Sequence, residues 1–395
     1  MTSKLVPADD WAGYFELLGR ETERCLAAAG GDKDRFPEIA AAVLGNVPTP
    51  MQLDWTTLLE DVVAGRSLLP RQEDPGATFG EPPLTLFRSD RFFVSALYWL
   101  DGTTSIHQHS FSGAFRVLCG SSLHVAYDFD VREALSDQLR LGSLDRHAPE
   151  VLRCGDVRTI QYGDAFIHSL FHLDRPSVTV VIRTYSDGSS QPNYLQPGLA
   201  FDAFIQDDLL ARRFQSLLSL GAIDPAAAWR AAKAFIQEED LGTGFSLLMR
   251  WAQRVDRGES LFDLVAVMQR CHGEVVQDLQ AALVEMLRSF SIVTRRRMVH
   301  DPEQRLFLAL LLNLPDVTSM QGVLRQIYPE RRPGDVLAEW VTELSHPQNR
   351  EMSGISLSAD SVAMLAGALR TCDPEALRAI STRVRPPELL SSLFT

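Results

Sequence analysis

In the segment Ser105-Ile-His107-Gln-His109 the two histidines stand two residues apart. Side chains alternate between faces along a strand, so a strand here points both imidazoles to one side. Two neutral imidazoles on one face are a natural ligand pair for a divalent transition metal. A third ligand is expected from Gly155-Asp-Val-Arg-Thr-Ile-Gln-Tyr-Gly163-Asp-Ala-Phe-Ile-His168-Ser-Leu-Phe-His172. Gly163-Asp164 reads as a turn that sends the chain back toward the first pair, and this favours His168. His172, four residues on, is the competing third ligand. Three neutral ligands leave an ion its full charge and open positions. Such a centre takes an anionic thiolate or enolate together with O2, which makes Fe(II) the expected cofactor. His124 and His147 lie outside both segments and receive no role.

These segments sit in a stretch with strand texture. Phe92-Phe-Val-Ser-Ala-Leu-Tyr-Trp-Leu, Ala114-Phe-Arg-Val-Leu, Ser122-Leu-His-Val-Ala-Tyr, Val157-Arg-Thr-Ile-Gln-Tyr and Val178-Thr-Val-Val-Ile-Arg-Thr-Tyr are rich in β-branched and aromatic residues. Asp101-Gly102, Cys119-Gly120, Gly155-Asp156 and Gly163-Asp164 punctuate them. Many short strands at this spacing predict a β-sandwich or barrel.

The run Gly102 to Gly120 and the run Gly155 to His172 resemble the two motifs of the cupin superfamily. A His-x-His pair without the Glu that many cupins carry is similar to the three-histidine thiol dioxygenases, the cysteine dioxygenase family; Gly113 stands near the place of that Glu. The resemblance implies a cupin double-stranded β-helix barrel and a mononuclear non-haem iron dioxygenase. It would add O2 to a small thiol or a related metal-chelating metabolite. Thr184-Tyr185-Ser186 matches the family's segment at the end of the last strand, so Tyr185 inherits the catalytic position beside the iron. Arg88 is the nearest match to the family's carboxylate-binding Arg, with Arg91 as the other candidate. Arg183 replaces a family His two residues before the Tyr. Arg183 and His172 are expected to bind substrate with Arg88. Ala114 stands close to the crosslinking Cys of some members, so no Cys–Tyr crosslink is expected.

The fold class predicted is α+β and multi-domain. An N-terminal helical segment covers 1–75, the cupin barrel 76–190 and a linker 191–200. An all-α domain, solenoid-like, covers 201–395. Asp224-Pro225, Asp301-Pro302 and Asp373-Pro374 read as helix starts, with Asp at the N-cap and Pro at the first helical position. At 395 residues and 45% hydrophobic content the chain can build more than one core. A formal net charge of −13 disfavours nucleic acid and anionic membranes as partners. The longest apolar run, Leu306 to Leu312, is too short to span a bilayer, and the start lacks a signal-peptide core. A soluble, cytoplasmic protein is expected. Five scattered cysteines predict free, mostly buried thiols. The alternative function is a metal- or ligand-sensing cupin whose helical domain binds a protein partner.

Overall fold

The computed structural model describes residues 11–49, 54–66, 69–73, 79–100, 105–136, 138–202, 208–254, 259–346, 349, 357–383 and 388–394. Gly102, which opens the first motif, lies outside them. The chain divides into two compact units, Met1–Ala126 with Ala148–Ser189, and Tyr127–His147 with Ser190–Thr395.

Each run expected to be a strand carries one, and three of them stop short of the expected end, at Trp99, Ile160 and Thr184. The strands are β1 (Pro83–Arg88), β2 (Phe92–Trp99), β3 (Ile106–His109), β4 (Gly113–Cys119), β5 (Ser121–Ser136), β6 (Leu139–Arg146), β7 (Glu150–Arg153), β8 (Val157–Ile160), β9 (Gly163–His172), β10 (Ser177–Thr184), β11 (Asn193–Leu195) and β12 (Leu199–Phe201). In the first unit one sheet runs β1-β2-β10-β4-β8, and the sheet facing it runs β3-β9-β5-β7. From β3 to β5 and from β7 to β10 each connection changes sheet. That winding is the double-stranded β-helix of a cupin barrel.

Alternation along β10 shows how the two faces of the first sheet are used. Val181 turns inward with Leu97, Trp99, Phe115 and Val117. Val178, Val180 and Ile182 turn outward onto α1 (Trp11–Ala28), α2 (Phe36–Asn46) and α3 (Trp55–Val63). These helices bury Tyr14, Phe15, Leu18, Val43 and Leu44 at helical spacing. The Arg116 guanidinium donates to the carbonyls of Leu44 (2.7 Å) and Val47 (2.9 Å), capping the end of α2.

The second unit begins where β5 passes Tyr127. From Tyr127 to Ser136, β5 pairs with β6, and β6 pairs in turn with β12. Leu139, Leu141, Leu199 and Phe201 share one core with Phe214, Phe245, Trp251, Leu264 and Leu283. The helices are α4 (Asp208–Ile223), α5 (Pro225–Glu238), α6 (Leu241–Arg254), α7 (Glu259–His272), α8 (Val276–Met298), α9 (Pro302–Asn313), α10 (Val317–Ile327), α11 (Pro333–Leu344), α12 (Ala359–Thr371) and α13 (Pro374–Arg383). All three Asp-Pro starts are real. Asp224, Asp301 and Asp373 accept from the backbone N–H groups of Ala227, Gln304 and Ala376 at 3.0, 2.9 and 3.1 Å. Arg305, buried on α9, donates to the Arg296 and Val299 carbonyls at the end of α8.

Two expected features differ. Residues 191–200, read as a linker, carry β11 and β12, with Tyr194, Leu199 and Phe201 buried. Three-residue strands are too short for alternation to register, so their Gly/Pro content dominated the reading. The cysteines are all free, but Cys154, Cys271 and Cys372 are exposed and Cys25 and Cys119 half-buried. Among the described residues no helix is long and apolar enough to cross a membrane.

Gly113 sets the approach of β4 to β10. A Cβ there would lie 2.1 Å from the Ile182 carbonyl oxygen and 2.8 Å from Arg183 Cα, both backbone. Gly113→Ala is expected to destabilise the fold by about 1–3 kcal/mol through overpacking. A urea midpoint unchanged from wild type would contradict this close approach.

Candidate metal centre

His107 and His109 lie on β3 and His168 on β9, and His107 stands directly opposite His168 in the antiparallel register. One nitrogen from each ring can be chosen so that all three lie within 4.8 Å of one another. Cross-strand pairing therefore does what the two separated segments require.

Hydrogen bonds fix which nitrogens face inward. His107 Nδ1–H donates to the Ser105 carbonyl at 2.7 Å, so its Nε2 carries the lone pair. That Nε2 is buried and has no hydrogen-bond partner. His109 Nε2 and His168 Nε2 stand 3.0 Å apart. Behind His168, its Nδ1 lies 3.1 Å from His124 Nε2, and His124 Nδ1 lies 2.8 Å from Glu150 Oε1. Glu150 is gripped by Arg158, whose Nε donates to Oε1 at 2.8 Å. A carboxylate only accepts, so His124 donates from Nδ1 and accepts at Nε2. His168 must then donate from Nδ1, and its Nε2 presents a lone pair toward His109.

Burial keeps the rings neutral. Desolvation first, and then neighbouring charge, hold His109 and His168 well below the ordinary histidine value; for His109 the charges are those of His107 and Arg183. Burial also lowers His107, against the pull of its bond to Ser105, and lowers His124, against that of Glu150. The Arg158 hydrogen bond, opposed by burial and helped by His124, holds Glu150 down at about 2.

The donor set fits a metal ion. Neutral imidazoles suit Fe, Zn, Cu and Ni. Two ligands about 2.1 Å from one ion and at right angles to it lie roughly 3 Å apart, the spacing of the His109 and His168 nitrogens. The unpartnered Nε2 of His107 would supply the third donor. Glutamate has no place here: at Gly113 any side chain would run into the β10 backbone.

The other expected residues separate into two groups. The Arg183 guanidinium stays with the histidines, packed 4.7 Å from the Phe93 ring and 4.4 Å from the Phe111 ring. Phe111 in turn lies 4.5 Å from His109, and Phe166 lies 4.4 Å from His168. Tyr185 and Arg88 form a second group, which meets the first across the Phe93 ring, 5.2 Å from that of Tyr185. The Tyr185 hydroxyl donates to the Ser89 carbonyl at 2.7 Å, while Arg88 sits 5.5 Å from the Tyr185 ring and pairs with Glu73 at 2.6 Å. Neither is hydrogen-bonded to a histidine. His172, the competing ligand, is buried against Trp99 with ring centres 4.2 Å apart, and its Nδ1 bonds the Ser122 hydroxyl at 3.0 Å; it does not join the cluster of three.

The sequence motifs assign no role to His124 or Glu150. One signal was available. In Ser122-Leu-His124-Val the neighbours Leu123 and Val125 are apolar, so a histidine on the opposite face of a buried strand needs a polar partner.

No family model matches the chain, and no curated protein does. Among solved structures the chain is similar to hydroquinone 1,2-dioxygenase from Sphingomonas sp. TTNP3, at 11% identity over 30% of this chain and 82% of that one, with a TM-score of 0.23. It is similar to the DMSP lyase of Ruegeria pomeroyi DSS-3, at 17% identity over 45% and 95%, TM-score 0.25. A cupin-2 domain protein from Shewanella frigidimarina gives 13%, 33%, 100% and 0.19. Likenesses this distant say nothing of substrate.

His109 and His168 stay neutral in the native state, whereas the unfolded chain takes up protons below about pH 6.5. The unfolded state then binds more protons, so stability falls as pH falls. With chelator present, the free energy of unfolding is expected to drop from about pH 6.5 downward, by up to about 1.4 kcal/mol per pH unit for each ring. Denaturant titrations at about pH 7.5 and about pH 5.5 check this, and a flat profile contradicts it.

Proposed function

We propose that His107, His109 and His168 hold one divalent metal ion, Fe(II) in the working protein, and that the protein oxygenates a small anionic metabolite that chelates it. One observation carries the reading: two buried imidazole nitrogens 3.0 Å apart beside a third, unpartnered one, in an interior that disfavours their protonation. When bound, Fe(II) supplies open coordination positions for O2 and substrate at one site.

The chain's own residues supply the rest. Arg183 brings a fixed positive charge near His109, where it can hold a substrate carboxylate. Its flat guanidinium is sandwiched by Phe93 and Phe111, which limits its motion and excludes water. Phe111 and Phe166 wall the rings and shape the space for a small ligand. Tyr185 and Arg88, engaged with Ser89 and Glu73, brace the turn between β1 and β2 in this reading, and His172 anchors Trp99. A thiol bearing a carboxylate meets both demands: its sulfur for the ion and its carboxylate for Arg183. Both atoms of O2 would then add to sulfur, converting the thiol to a sulfinate.

Oxygen uptake by the Fe(II)-reconstituted protein, measured against small thiols and 1,3-dicarbonyls, tests the proposal. Uptake with one class, a product heavier by two oxygen atoms, and loss of uptake in His107→Ala are expected. Arg183→Leu is expected to raise KM for a carboxylate substrate by roughly ten- to a hundredfold, the loss of one charge-assisted hydrogen bond. An iron-loaded protein inert to both classes contradicts the oxygenase reading.

A further inference from the structure

We infer that His124, Glu150 and Arg158 are positioning residues of the metal centre, a three-member chain that sets the tautomer and orientation of His168. The inference rests on the proposal that His168 is a ligand. Each link is a separate strand held in register: His124 on β5 pairs directly with Glu150 on β7, and Arg158 stands on β8. The distances run 3.1 Å from His168 Nδ1 to His124 Nε2, 2.8 Å from His124 Nδ1 to Glu150, and 2.8 Å from Glu150 to Arg158 Nε. Arg158 also bonds the second Glu150 oxygen, so the carboxylate is clamped through both atoms.

The direction of the chain follows from its two ends. Arg158 only donates and ionised Glu150 only accepts, so every proton along the chain has one place. Glu150 takes the His124 Nδ1–H, and His124 Nε2 takes the His168 Nδ1–H. His168 Nε2 is left as a lone pair toward His109. A metal-binding histidine that donates its other N–H to an acceptor has a fixed ring and a more basic donor nitrogen. Here the acceptor is a second imidazole, which carries the influence of a partly exposed carboxylate to a ring buried in the barrel. His124 is itself 3% exposed and cannot take this bond from water.

Zinc affinity of the full chain, measured by competition with a chromophoric chelator, tests the inference without any turnover. His124→Leu leaves His168 Nδ1–H without an acceptor and is expected to weaken binding by roughly ten- to a hundredfold, with one ion per chain retained. His124→Gln can accept from His168 and donate to Glu150, so it is expected to recover most of the loss. Glu150→Leu, at a half-exposed position that tolerates an apolar side chain, is expected to weaken binding as well, which covers a His124→Leu chain that does not fold. In the zinc-loaded wild type, imidazole nitrogen NMR is expected to place the His168 proton on Nδ1. Zinc binding by His124→Leu within about twofold of wild type, alongside loss of binding in His168→Ala, overturns the inference and leaves the metal centre standing. No binding by the wild type itself overturns both.

Discussion

Two imidazole nitrogens 3.0 Å apart must share a proton or a cation, because two lone pairs at that distance repel. A proton shared between neutral rings sits on His109 Nε2 and is accepted by His168 Nε2, which adds no charge to the interior but leaves His107 Nε2 without a partner. A divalent ion would take the place of that proton and engage the stranded nitrogen of His107 in the same step. The walls fit that use. Phe111, Phe115 and Phe166 pack apolar faces against the rings of His109 and His168.

Close strand approach makes this geometry possible. β10 runs antiparallel between β2 and β4, and the gap at Gly113 lets its backbone come within reach of β4 without a side chain between them. The same contact brings Arg183 opposite Gly113 and into the neighbourhood of His109. A glutamate at position 113 would have to displace the strand that carries Arg183.

The cluster of His107, His109 and His168 was legible because its signals are local. His107 and His109 follow the two-residue period of a strand, and Gly163 makes the turn that returns His168, with φ at +68°. The Asp-Pro starts were legible for the same reason, since an N-cap involves only a few neighbouring residues. His124 was not, because its role depends on β5 lying beside β9, a pairing over long sequence separation. The hairpin of β5 and β6 was hidden in another way. Alternation marks Leu139 and Leu141 as buried, yet it cannot say that they enter the core of Phe214, Phe245 and Trp251 and not the barrel. The Tyr185 hydroxyl donates to the Ser89 carbonyl, a contact that no motif encodes.

X-ray absorption at the metal edge of the zinc-loaded protein tests the three-histidine centre most directly. The account predicts one ion per chain with three imidazole nitrogens at about 2.0–2.1 Å, and loss of that shell in His168→Ala. A shell made mainly of oxygen, or an imidazole count untouched by removal of His168, would contradict it.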